Sequence, residues 1–102
     1  MFHKARGRYT GAAVSGHACY DDAGRDIVCA AVTSAVQLTC NGVTEVLKCG
    51  ADVEATADTV RITLPPKADD SASRFIEALH VHLDILAHDY ADFIEVSVHK
   101  NG

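Results

Sequence analysis

The sequence predicts an α+β domain: a two-layer sandwich with two helices on one face of a small, mixed or antiparallel, four-stranded sheet. The predicted order is strand-helix-strand-strand-helix-strand. Three observations predict it. Two long stretches, 27–47 and 70–90, carry apolar residues at helical spacing. Two short ones, 59–64 and 94–99, alternate apolar with polar residues. Pro65-Pro66 stands between the good strand at 59–64 and the second helix and ends the strand.

Taken in order, Arg8 to Val14 is a weak strand, and Gly11 within it marks a bulge or a close backbone approach. Gly16 to Arg25 is polar and holds Gly16 and Gly24, which predicts a loop. From Ile27 to about Leu47 the chain is helical and apolar on nearly every side, the pattern of a buried helix. Asn41-Gly42 has the form of a helix stop, but Val43, Val46 and Leu47 keep the spacing, so the helix is predicted to run on. Ala51 to Ala57 is a poor strand, and Thr59 to Leu64 is a good one through Val60, Ile62 and Leu64. Asp70 or Ser71 caps the second helix, with Ala72, Phe75, Ile76, Leu79, Leu83, Leu86 and Tyr90 as its buried stripe. Ile94 to His99 is the last strand, with Ile94, Val96 and Val98 inward.

Length and composition narrow the function classes. The 102 residues make one domain, spanning 1–102, with no room for a separate cofactor domain. The net charge of −5 and the scattered basic residues argue against a grip on nucleic acid. The absence of Trp, with three Phe and three Tyr, argues against a base-stacking platform. Lys4, Arg6 and Arg8 are expected to form a solvated strand face. Met1 to Arg6 lack the apolar stretch of a secretory signal, so none is expected, and no apolar run is expected to reach transmembrane length. A cytoplasmic protein without membrane contact is expected. In that compartment Cys19, Cys29, Cys40 and Cys49 are expected as thiols. Their spacings of ten, eleven and nine match no zinc pattern. His80, Asp84 and His88 share a helix face, an ordinary polar stripe. No metal and no cofactor are expected.

His17 and Cys29 are the candidate catalytic pair. They stand twelve apart in Gly16-His17-Ala18-Cys19-Tyr20-Asp21-Asp22-Ala23-Gly24-Arg25-Asp26-Ile27-Val28-Cys29-Ala30-Ala31. Cys29 is expected in the first turn of the first helix. The unpaired N–H groups and positive dipole end there favour a thiolate. A histidine on the preceding loop can pair with the thiolate and later protonate a leaving amine. Asp26 has two readings, as the helix N-cap or as a third member orienting His17; the cap is the better. Cys19 is an incidental loop thiol or a redox partner of Cys29. A zinc site on His17, Cys19 and Cys29 lacks a fourth ligand at a recognisable spacing.

The Gly16-His17-Ala18 turn, the twelve-residue step and the run Asp26 to Ala31 resemble the ribosomal-processing cysteine protease family, Prp. The resemblance is specific over Ser15 to Ala35. It implies that His17 and Cys29 are the catalytic pair, supported by Gly16, Asp26 and Thr33. Thr33 stands where the family often has serine, and it keeps the hydroxyl. The resemblance further implies a bacterial homodimer that removes an N-terminal extension from large-subunit ribosomal protein number twenty-seven. The loop Gly16, Ala18, Cys19, Tyr20, Asp21, Asp22, Ala23, Gly24 and Arg25 is expected to be mobile and to order on substrate. Backbone N–H groups at the helix start, that of Cys29 among them, are candidates to bind the oxyanion. Only Met1 to Ala5 is available for the family's first strand, which predicts a short or missing one. The rival reading is a non-enzymatic ribosome-assembly or adaptor module.

Overall fold

The structure, a computed structural model, describes residues 1–15, 23–56, 59–90 and 96–100, with the backbone alone for 23–26. Two helices cover one face of a mixed five-stranded sheet. The elements are β1 (Phe2–Ala5), β2 (Arg8–Ser15), α1 (Ala23–Asn41), a π-helical segment (Gly42–Val46), β3 (Asp52–Ala55), β4 (Thr59–Thr63), α2 (Asp70–Asp89) and β5 (Val98–Lys100). The spatial order is β3-β4-β2-β1-β5. Every pairing is antiparallel except β1 with β5.

The fifth strand comes from the N-terminus. Phe2 to Ala5 is short but forms a full ladder member, because Arg6-Gly7 folds it back on β2. Both turn residues have positive φ, +53° and +76°, the pattern of a type I′ hairpin. The ladder slips between His3 and Lys4, opposite Gly11 and Tyr9, so Thr10 is the extra residue of a β-bulge. A Cβ on Gly11 would run into the Ile62 carbonyl, which accounts for glycine in this strand.

The core is formed by Phe2 and Ala12 from β1 and β2, Ile62 and Leu64 from β4 and its end, and one stripe from each helix. Along α2 that stripe is Ala72, Ile76, Leu79 and Leu83, with Phe75 and Leu86 packed at its margin. Tyr90, expected within it, is 39% exposed because it lies past the last helical residue. The cap is Asp69, one residue before the expected pair, and its carboxylate accepts the Ser71 N–H at 3.1 Å. At the last strand, pairing begins only at Val98, which is 37% exposed. Val96 packs on the core, and Ile94 lies outside the described residues.

The first helix departs from expectation in three ways. It starts at Ala23, inside the segment read as loop. Gly24 costs about 1 kcal/mol relative to alanine there, less than the roughly 1.5–3 kcal/mol from burying one valine on the stripe that follows. It is not buried all round: Val28, Val32 and Val36 face the core, and Ile27 and Leu38 are 65% and 70% exposed. It does run past Asn41-Gly42, as a π-helical segment. Gly42 is buried against the Phe75 ring, where no Cβ would fit, so close packing on α2 explains the glycine that had the form of a stop. The stretch Ile27–Val46 is also long and apolar enough to cross a membrane, contrary to expectation. Here Val28, Val32, Val36 and Val43 pack it into the core with α2.

Candidate active site

Strand β2 ends at Ser15 and leads into Gly16-His17. His17, Cys19 and the rest of 16–22 lie outside the described residues, as do the side chains of Asp26 and its neighbours from Ala23. Expectations about loop mobility, about the His17–Cys29 approach and about Cys19 therefore fall outside them too.

Cys29 is described. It is the seventh residue of α1, in the second turn rather than the first. The reason is the early helix start at Ala23. Two consequences follow. Among the described residues, the helix-start amides without an intrahelical partner are those of Ala23, Gly24 and Arg25. The Cys29 N–H lies beyond them, committed to the helix, so it is not an oxyanion donor. The positive dipole end, whose effect falls off within a turn, also acts less on Cys29 than a first-turn position would allow. Asp26, at the fourth helical position, is inside the helix and is not its N-cap.

The Cys29 side chain is 5% exposed, beside Val28 and Val32 on the inner face. Thr33 follows one helical turn later on the same face and is half-buried. Cys40 and Cys49 pack at the margin of the core. Burial pushes the Cys40 thiol up, and the Cys49 thiol donates to the Val43 carbonyl at 3.3 Å. Both are structural thiols.

Of the remaining sequence candidates, Arg8, Lys4 and His80 have structural partners. Arg8 bonds the Asp70 carboxylate at 2.9 Å and the Ala68 carbonyl at 3.2 Å. The Lys4 ammonium lies 4.8 Å from the centre of the Tyr9 ring. His80 pairs with Asp84 and also meets Tyr9, a contact across the sheet–helix interface that sequence reasoning missed. The only signal for it was His80 following Ile76 by four residues, at the margin of the buried stripe.

Residues 1–95 match the family model of the cysteine protease Prp. The chain belongs to the Prp family. It is a cysteine protease by that membership, and its fold agrees with solved Prp structures. The protein SMU.848 from Streptococcus mutans superposes with a TM-score of 0.91 at 22% identity, over 98% of this chain and 91% of that one. The ribosomal processing protease Prp of S. aureus with a substrate peptide gives 0.79 at 18% identity, over 99% and 100%. The same protease with a covalently linked product peptide gives 0.78 at 19% identity, again over 99% and 100%. These identities speak for the fold alone. No curated protein sequence matches the chain. The family match spans both His17 and Cys29, and it leaves the buried Cys29 on α1 as the Prp thiol to be tested.

Proposed function

We propose that Cys29 and His17 are the catalytic dyad, and that the substrate is the N-terminal extension of large-subunit ribosomal protein number twenty-seven. The observation that carries this is the Prp family match over 1–95, which includes the Gly16-His17 turn and the Asp26 to Ala31 run. In this mechanism His17 takes the Cys29 thiol proton, and the sulfur attacks the scissile carbonyl. The proton passes to the departing amine, and a thioester remains. Water then hydrolyses it and restores the thiol. The amides of Ala23, Gly24 and Arg25, at the start of α1, are the helix donors available to an oxyanion. Thr33 lines the same helix face as Cys29, and Asp26 supports the site from the helix start.

The S. aureus protease has been solved with a substrate peptide and with a covalently linked product peptide, which supports a peptide occupant here. A bacterial, cytoplasmic homodimer without direct nucleic-acid contact completes the proposal. Exposed Leu38 on α1 and Val81 and Ile85 on α2 are apolar residues that a second copy would cover.

Mass spectrometry of the ribosomal-protein precursor from the same genome tests this. A defined N-terminal truncation is expected with the parent protein and none with Cys29→Ala or His17→Ala. An intact precursor with the parent would turn the assignment towards the adaptor reading. Sedimentation of the parent gives the oligomeric state.

A further inference from the structure

Among the described residues, strand β3 is the outermost strand on its side of the sheet, and all four of its residues are exposed. The Thr56 N–H donates to the Thr59 carbonyl at 2.8 Å, so that pair faces inward. Antiparallel pairs alternate between bonded and non-bonded, so Glu54 and Asp52 direct their backbone groups to β4 as well. Val53 and Ala55 then point their N–H and C=O groups away from the sheet. This edge is a template for one more strand.

Its two faces differ. Val53 and Ala55 stand opposite Ile62 and Val60 on the helix side, which is apolar. Glu54 and Asp52 stand opposite Arg61 and Thr63 on the open side. An added strand would place alternate residues beside valine and alanine, and the others beside two carboxylates.

The edge also has a direction. Strands β2 and β3 both run antiparallel to β4. Ser15 ends β2 opposite Thr59, and Ala55 ends β3 opposite Val60. The two strands finish at nearly one level, where β2 leads into Gly16-His17, and α1 is the crossover joining them. The other edge, β5, has three residues, including His99 and Lys100, and lies at the far side of the sheet.

We infer that the β3 edge takes an extended segment of the substrate as an added strand, selecting segments in which Lys or Arg alternates with apolar residues. The inference rests on the protease reading above. Charge decides the occupant. A second copy in this place would set the acidic edge against itself, and like charges across a strand pair destabilise it. A basic segment is complementary.

The test uses Val53→Pro, which removes one outward N–H and leaves the ladder to β4 intact, a position where an edge strand tolerates proline. It also uses the Asp52→Lys, Glu54→Lys double variant. With the same-genome precursor as substrate, KM is expected to rise about tenfold in each, the worth of roughly one hydrogen bond, with kcat within about twofold. Iodoacetamide alkylation of Cys29 should be unchanged, which shows that the fold is intact. In contrast to the parent, the double variant should prefer a synthetic peptide alternating Val and Glu over one alternating Val and Lys.

A second measurement does not depend on cleavage. Amide hydrogen exchange of Cys29→Ala, with a synthetic peptide alternating Val and Lys, should show new protection at Val53 and Ala55. Protection without cleavage by the parent would uphold the edge and sink the ribosomal substrate. Cleavage by the parent with unchanged KM in both variants and no protection would overturn the edge. Protection that instead grows with protein concentration in the absence of peptide would assign the edge to a second copy, and would also overturn it.

Discussion

The Tyr9 hydroxyl lies 2.7 Å from His80 Nδ1 and joins the second strand to the second helix. Burial, then the charges of Glu77 and Asp84, push the Tyr9 phenol up, so it stays protonated and donates. His80 Nε2 meets the Asp84 carboxylate at 3.2 Å. A neutral imidazole with its proton on Nε2 satisfies both partners. The Phe2 ring stacks on the imidazole at 4.5 Å, and the Tyr9 N–H donates to the Ser73 hydroxyl at 2.8 Å. Tyr9→Phe leaves a largely buried acceptor without its donor. We expect it to cost about 1–3 kcal/mol, measured by urea unfolding, with little change in cleavage because neither residue belongs to the proposed dyad.

Acid stability should depend on His3. Burial first, then His99, the N-terminal ammonium and Arg61, hold its pKa below the usual 6.5. The folded state therefore prefers the neutral ring. This stabilising contribution is present above about pH 6.5 and is lost as pH falls through the lower folded value. His3→Gln should flatten the acid side of a plot of denaturation midpoint against pH. An unchanged slope would rule out the role.

Arg6 holds a left-handed conformation at φ +53° in a two-residue hairpin turn. A residue with a Cβ pays for that geometry, and Asn-Gly suits it better. Arg6→Asn should raise stability by about 0.5–1 kcal/mol in urea unfolding. A loss instead would mean that the Arg6 side chain contributes more than its exposed position indicates.

Gly42 and Gly11 should respond differently to alanine. At Gly42 the obstacle is the Phe75 ring, a side chain that can shift, so Gly42→Ala should cost about 1–3 kcal/mol. Phe75→Leu in the same chain should recover part of it. At Gly11 the obstacle is the Ile62 backbone carbonyl within a paired strand, so Gly11→Ala should cost more, with no such rescue. Thermal unfolding of the three variants gives the order.

The two-layer architecture, the second helix and the strand at 59–64 were legible because their periodicity is strict and their ends carry strong signals, Pro65-Pro66 and an acidic cap. Cys29 as the candidate thiol was legible from Gly16-His17 and the run Asp26 to Ala31. The helix start was not. Asp22 and Gly24 have the composition of a loop, and only the burial of Val28, Val32 and Val36 in the core outweighs it. That shift moves Cys29 to the second turn and Asp26 into the helix, and leaves Ala23, Gly24 and Arg25 with the unpaired amides.

The sequence by itself determined the layers, the catalytic thiol candidate and the family, since periodicity and a short motif are local properties. Only the tertiary structure decided that Phe2 to Ala5 forms a strand, that Gly42 is a packing point and that β3 is an open edge. Each depends on which segments lie side by side, and residues far apart in the chain settle that by filling one core.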